Sequence, residues 1–589
     1  MRTFRFALLG LLAAGAMGCN DLLNVPNENS ADRARALARP GDVEALIGAS
    51  YRQIFAATLG QNGDMLQVQA QVMAMENFGG SANFGFPQRA NLPRLQMDNS
   101  RNNAVNLGNY NDFQVLHRAA RQAAVGLSSV NNPAFTFFPT SASQVARAKA
   151  MAHFVIGAAL GYESMMYDQG TIIGPNDNAS DPTPLPMVPY DSVNRYAMRE
   201  LDSALTYATP ATTAAAFPLP GSGNWFGNPG IAMTQAQFIG LVKGYKAKIA
   251  SGVARNAADR AAVNWVQIIL DAQAFAAAWP TDFVLTMSTT NGWDAAWYSN
   301  QSQASNANQW QEQWQFMIGM ADTTTTDSVT ATGRFPGCAT QPYVCWLNTS
   351  YATKAPFLIR TPDRRFPAGA TRAVQQAVGQ GQACGTPMPA GVYIRNRSAP
   401  DWGGDPLAFS FYDNEKWAAL FCAPSRNGPF IMIATAELNL LAAEGMIRAG
   451  NFAGAATLID LTRVARGGLP PLAGMAIVSA AQLIGPDAVH CVPHTPLIAA
   501  NRSAGTVTCG TIMEAMKWEK RLEAGWTGPY VGFTDARGWQ DLPAGTPIQW
   551  MVPYQEIDSR QTFPNAPAYP VGYGGGGAGA APVGTYGVQ

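Results

Sequence analysis

The chain has 589 residues with 39 basic and 39 acidic side chains, so its formal net charge is zero. Only 13% of its residues are charged, about half the share usual for a globular domain. Such a length allows one large unit or several domains with ample core, while the missing basic stripe argues against nucleic acid as a partner.

The first residues read as an export signal. Arg2 and Arg5 supply a positive start, and Phe6 to Met17 is an apolar run too short to cross a bilayer. It ends at Gly18-Cys19, and a Cys directly after a small residue is the mark of a lipoprotein signal. Residues 1–18 are therefore expected to be a signal peptide, with Cys19 the lipidated residue and 19–40 a polar tether. Several acyl chains on one Cys would anchor stably.

From Asp42 helical spacing dominates. Val43, Leu46, Ile47, Ser50 and Ile54 fall at three- and four-residue steps, with Asp42 as the expected N-cap. Residues 79–103 read as a long loop, and helical periodicity returns over 107–125 and again over 143–167. Asp191-Ser192 is expected to cap the next helix. Thr234 to Val253 and Ala257 to Phe275 form a helix pair joined at Arg255-Asn256. Ile431 to Ala449 and Phe452 to Val464 form another, joined at Gly450-Asn451. Pairs of this kind resemble tetratricopeptide units, irregularly spaced. Between them, 276–429 loses the helical period and reads as a loop-rich insertion with short strands. Ile512 to Ala524 is expected to be the final helix, and the Gly-rich tail at 566–589 a disordered spacer. The expected fold is mostly α, with helical regions at 41–275 and 430–565 around the 276–429 insertion.

Besides Cys19 the chain holds Cys338, Cys345, Cys384, Cys422, Cys491 and Cys509. An even number in an exported chain allows three disulfides. Pairing in sequence order closes the shortest loops, and free buried thiols are the alternative.

Several segments, in order, resemble the SusD/RagB family of outer-membrane nutrient-binding lipoproteins. The first is Cys19 to Pro26 followed by Gly41 to Tyr51. The second is Ala148 to Gly170 with Pro186 to Leu205. The third is Ala434 to Gly445 continuing through Gly450 to Ala456 and Ile459 to Pro470. The fourth runs Glu519 to Gly525, Asp535 to Trp539 and Trp550 to Glu556, and Thr361 to Phe366 is similar to the family's Asp-x-Arg segment. Tyr167-Asp168 lacks the family's glycine, and Ala536 and Gly538 interrupt its double arginine. The resemblance spans about residues 19–565. It implies a SusD-like α/α superhelix, a cell-surface position on the outer membrane, an oligosaccharide or peptide ligand, and a TonB-dependent, SusC-like barrel as partner.

Sugar capture needs flat aromatic faces surrounded by amides and hydroxyls. Trp293, Trp297, Tyr298, Trp310 and Trp314, set among Asn and Gln inside the insertion, are the ligand-binding candidates, against a plain core role. Phe78, Phe84 and Phe86 are weaker ones. Catalytic readings fare worse. Glu519 and Glu523 could be paired carboxylates, but Lys520 and Arg521 beside them predict a salt-bridged helix surface. His490, Cys491 and His494 do not make a metal site, because Pro493 blocks helical presentation. No enzyme, cofactor or metal is expected. A tetratricopeptide-type envelope scaffold and an exported glycoside hydrolase remain as alternatives.

Overall fold

The computed structural model describes residues 37, 39–60, 66–79, 89, 94–102, 107–132, 142–177, 183–209, 217–220, 225–228, 231–294, 311–313, 320–321, 359–377, 388–396, 412–485, 491–495, 508–561 and 578–585. The described chain is mostly helical, as the periodicity predicts. Helices α1 (Pro40–Thr58), α2 (Leu66–Met73), α3 (Leu107–Asn131), α4 (Ala142–Met166), α5 (Tyr190–Ala208) and α6 (Gln235–Gly252) build the N-terminal part. They are followed by α7 (Ala257–Ala262) and α8 (Trp265–Ala278). Strand β1 (Asn77–Gly79) follows α2, and β2 (Gln169–Thr171) pairs with β3 (Met187–Pro189) between α4 and α5.

Helix α4 is the central rod, buried from Ala148 onward on nearly every side. Its alanines and glycines let neighbours come close: a Cβ on Gly157 would meet Leu201 of α5, and one on Gly161 would fall 2.3 Å from Ile249 Cδ1 of α6. Such a helix has no polar face to show because helices surround it. The α6 terminus follows from local sequence. Thr234 Oγ1 accepts from Gln237 N while Gln237 Oε1 accepts from Thr234 N, the reciprocal capping box.

Several expected boundaries move. Asp42 is not the N-cap of α1; Arg39 holds that place without a side-chain bond, and Asp42 lies in the first turn. Asp191 and Ser192 likewise sit inside the first turn of α5. The helix expected over 257–275 is two, broken at Val263 and restarted where Asn264 accepts from Gln267 N. Residues 431–433 belong to a strand.

The insertion grows from a two-stranded ribbon. Strand β4 (Phe283–Met287) pairs antiparallel with β8 (Gly428–Ile433), from Phe283↔Ile433 to Met287↔Gly428. The chain therefore leaves and re-enters the helical body at one place, and the expected limits 276 and 430 fall inside α8 and β8. Between them lie β5 (Gln311–Gln313), α9 (Arg372–Ala377), β6 (Ile394–Asn396) paired with β7 (Tyr412–Asn414), and α10 (Ala418–Cys422). Strand β5 reaches back to pair with β1.

The C-terminal part begins with the pair α11 (Thr435–Arg448) and α12 (Phe452–Arg463), then β9 (His494–Thr495) paired with β10 (Thr508–Cys509), and α13 (Ile512–Glu523). Two further helices follow where irregular chain was expected, α14 (Val531–Trp539) and α15 (Tyr554–Arg560). The tail is also not wholly a spacer. Ile548 N donates to Ala578 O, Ala581 N to Thr546 O and Thr585 N to Gln540 O, which seats 578–585 on the body. Glycine makes this possible: a Cβ on Gly584 would lie 2.5 Å from Leu542 O. Among the described residues no helix is long and apolar enough to cross a membrane.

Candidate functional site

Many of the charges that the composition made scarce are inside. Arg365 is buried with a carboxylate on each side of its guanidinium: Asp363 Oδ2 at 2.7 Å, Glu519 Oε2 at 2.7 Å and Glu523 Oε1 at 3.0 Å, all from side chains without solvent exposure. Trp518 Nε1 donates to Asp363 at 3.0 Å, and Arg466 Nη1 meets the second oxygen of Glu523 at 2.7 Å. Burial raises the Glu519 carboxyl even though Arg365 pulls it down. A second assembly joins α7, α11, α13 and α14. Arg260 bonds Glu444 through two nitrogens and Asp535 at 3.0 Å, while Lys520 meets Asp535 at 2.7 Å and Arg448 meets Glu444 at 2.9 Å. Burial works against the Glu444 anion, but Arg260 and Arg448 outweigh it and hold that carboxyl at about 2.

Glu519 and Glu523 are thus not the solvated helix surface expected of them. Their cation is Arg365, 154 and 158 residues away, rather than Lys520 or Arg521 on the same helix. Four oxygens held by guanidinium and phenol donors cannot serve as a general acid and base. Other buried cations finish helices. Arg255 donates to the carbonyls of Ser164, Met165 and Tyr167 at the end of α4, and Lys416 to those of Leu522, Glu523 and Gly525 at the end of α13. There they satisfy orphan acceptors and complement the helix dipole.

Of the ligand candidates, the structure describes Trp293. It is a core residue: fully buried, tilted against Phe55 with ring centroids 4.7 Å apart, and donating Nε1 to Gly227 O. No face of its ring is open to a sugar. Trp297, Tyr298, Trp310 and Trp314 lie outside the described residues, as do Phe84, Phe86, Cys19, Cys338, Cys345 and Cys384. Cys491 and Cys509 are disulfide-bonded to each other, as sequence-order pairing predicts. Cys422 is also disulfide-bonded. His494 is buried, paired backbone to backbone with Cys509, and no group of metal-ligating side chains occurs among the described residues.

The ribbon β4–β8 offers an exposed rim that periodicity could not disclose. Thr289 to Gly292 and Pro424 to Asn427 stand side by side there, with Thr289 Oγ1 donating to Ser425 O at 3.2 Å and Arg52 Nη1 to Asn291 O at 3.0 Å. Ser425 and Arg426 both adopt left-handed backbone, with φ of 53° and 52°, a conformation non-glycine residues seldom hold. Arg426 lies 4.6 Å above the Phe421 ring. The rim therefore presents hydroxyls, amides and the guanidiniums of Arg52 and Arg426, the latter over the Phe421 ring. No sequence signal marks left-handed backbone at a Ser-Arg pair.

No family model and no curated protein matches the chain. Among solved structures it is similar to a SusD-like carbohydrate-binding protein from Bacteroides fragilis, at 9% identity over 94% of this chain and 95% of that one, with a TM-score of 0.49. It is also similar to a SusD-like carbohydrate-binding protein from Bacteroides vulgatus, at 10% identity, 85% and 84% coverage and a TM-score of 0.47. A laminarin-binding SusD-like protein matches at 14% identity, 88% and 97% coverage and a TM-score of 0.44.

Proposed function

We propose that this chain is a lipid-anchored, cell-surface lipoprotein of the SusD/RagB type that captures an oligosaccharide and passes it to a TonB-dependent barrel. The observation that carries the reading is the convergence of its family-like segments. Asp363-Arg364-Arg365, Glu437 to Glu444, Arg463 to Arg466, Glu519 to Glu523 and Asp535 lie far apart in sequence. In space Arg365 gathers Asp363, Glu519 and Glu523, and Arg466 meets Glu523, so that these segments meet at α13. Segments that resemble a family by chance have no reason to complete one another's charges in a buried core, where an unpaired ion is costly. We read the resemblance as structural, and the described β4–β8 rim as a surface suited to binding.

Capture without turnover fits the rim at the end of β4–β8, which is polar and largely uncharged. A tetratricopeptide-type scaffold remains a second reading on one observation, the exposed apolar Val266 and Leu270 one turn apart on α8. The test is a tagged pull-down from the native outer membrane with a glycan and peptide binding screen. A stoichiometric TonB-dependent barrel and a bound glycan support the proposal. Recovery of the chain alone, or with periplasmic proteins and no glycan, overturns it in favour of the scaffold.

A further inference from the structure

We propose that Glu76 is a proton-binding latch: neutral, it holds strand β1 and through it the insertion strand β5 against the helical body, and ionised, it loosens them. The reasoning begins with where the residue sits. The turn from α2 into β1 passes through Met75, whose φ of 59° is left-handed, and this aims the next side chain inward. Glu76 is 5% exposed, and neither of its carboxyl oxygens has a hydrogen-bond partner. It rests on Gly532 in the first turn of α14, so tightly that a Cβ there would fall 2.1 Å from the Glu76 Cδ. Only glycine leaves that seat open.

The neighbouring charges are already committed. From α13, Arg521 is bound to Asp541 at 2.5 Å. From the segment before α10, Lys416 is spent on the three carbonyls ending α13. From α14, Asp535 is held by Arg260 and Lys520 and repels a second anion. A buried carboxylate without a donor is costly, so the group keeps its proton instead. Burial, opposed by Arg521 and aided by Asp535, brings the Glu76 carboxyl up to about 7.

What the proton controls follows from the strand. Glu76 immediately precedes β1, its carbonyl accepts from Gln313 Nε2 at 2.7 Å, and Asn77, Phe78 and Gly79 pair with Gln313, Glu312 and Gln311. This three-residue ladder ties the insertion to the N-terminal helices. When it opens, Glu76 meets water and its ordinary value near 4.5 applies. Between that value and about 7, opening releases a proton, so the opening equilibrium rises about tenfold per pH unit. Above about 7 it is flat. The latch is tight in mild acid and looser at neutral pH.

Hydrogen exchange of the full-length chain from pH 5 to 8, corrected for intrinsic exchange, tests this without knowledge of the cargo. Peptides covering 77–79 and 311–313 are expected to show the tenfold slope up to about pH 7 in the wild type and none in Glu76→Gln, while α4 peptides stay flat in both. No slope in the wild type, or an unchanged slope in Glu76→Gln, overturns the proposal. Should Glu76→Gln fail to fold by circular dichroism, the wild-type slope still decides. Gly532→Ala, which displaces the carboxyl, is then expected to raise exchange of both strands at pH 5; unchanged exchange counts against the latch.

Discussion

Two regions of this molecule bury charge in opposite ways. Around α13 nearly every ion has its counter-ion: Arg365 with three carboxylates, Arg260 with two, and Lys517 with Glu514 and Asp541. Around α2 and β1 Gln67, Gln69 and Gln71 are buried, Arg89 bonds to Gln69 and Arg94 to the Met73 carbonyl, and the Glu76 carboxyl has no hydrogen-bond partner. The first arrangement fixes the body, because removing one member strands the others. The second leaves a place where the insertion's attachment can respond to its surroundings. Stability and responsiveness are thus placed in different parts of one fold.

The largest expected effect breaks the paired region. Arg365→Met leaves Asp363, Glu519 and Glu523 facing one another in the core, where losing one partner of a buried ion pair costs about 3–5 kcal/mol. Chemical denaturation should show a loss of at least that size or no folded product. A loss under about 1 kcal/mol would mean that the hub does not hold the body together.

Next is the disulfide. Cys491 and Cys509 are 18 residues apart and close a loop behind α13, and a loop of that order stabilises by about 3 kcal/mol. The double substitution to Ala, compared with wild type by the same unfolding measurement, should lose about 2–4 kcal/mol. A value near zero would imply that the unbonded chain already holds this segment in place.

Close packing in the N-terminal helices comes third. Gly161→Ala adds a methyl 2.3 Å from Ile249 Cδ1, and overpacking of this kind costs about 1–3 kcal/mol. Ile249→Val in the same chain should restore part of it. Failure of that rescue would place the strain elsewhere.

These effects also mark what the sequence discloses. The helix pairs are legible because their apolar residues recur at helical steps and Thr234, Asn256 and Asn451 announce where they start. Helix α14 escapes such a reading because Gly532 and Gly538 interrupt its pattern and its N-cap, Tyr530, is a left-handed residue with no capping side chain. Strand β8 is mistaken for helix because Phe430 to Ile433 is a continuous apolar run without period. Glu519 and Glu523 look solvated because neighbouring cations on one helix are visible in sequence, while Arg365 is brought to them only by the fold. Trp293 shares its amide-rich sequence surroundings with the other aromatic candidates, and only its packing on Phe55 shows it to be core.

The smallest effect sharpens the comparison by pH. His117 of α3 meets Glu163 of α4 at 3.0 Å. Burial lowers the His117 imidazole, but Glu163 outweighs it and the net direction is upward from 6.5. A raised histidine stabilises the fold fully below its unfolded value, and that contribution disappears as pH rises through the folded one. Glu76 acts with the same sign but lower, its stabilisation fading from about 4.5 to about 7. Glu444, held at about 2, acts oppositely: its contribution is present above 4.5 and lost on acidification. Unfolding free energy followed from pH 5 to 9 should therefore carry a falling contribution from each of Glu76 and His117. Relative to wild type, Glu76→Gln is expected to flatten the decline below about pH 7 and His117→Gln the decline above 6.5. If one substitution flattened both ranges, the two buried groups would not be independent, and the division between a fixed body and a responsive junction would fail.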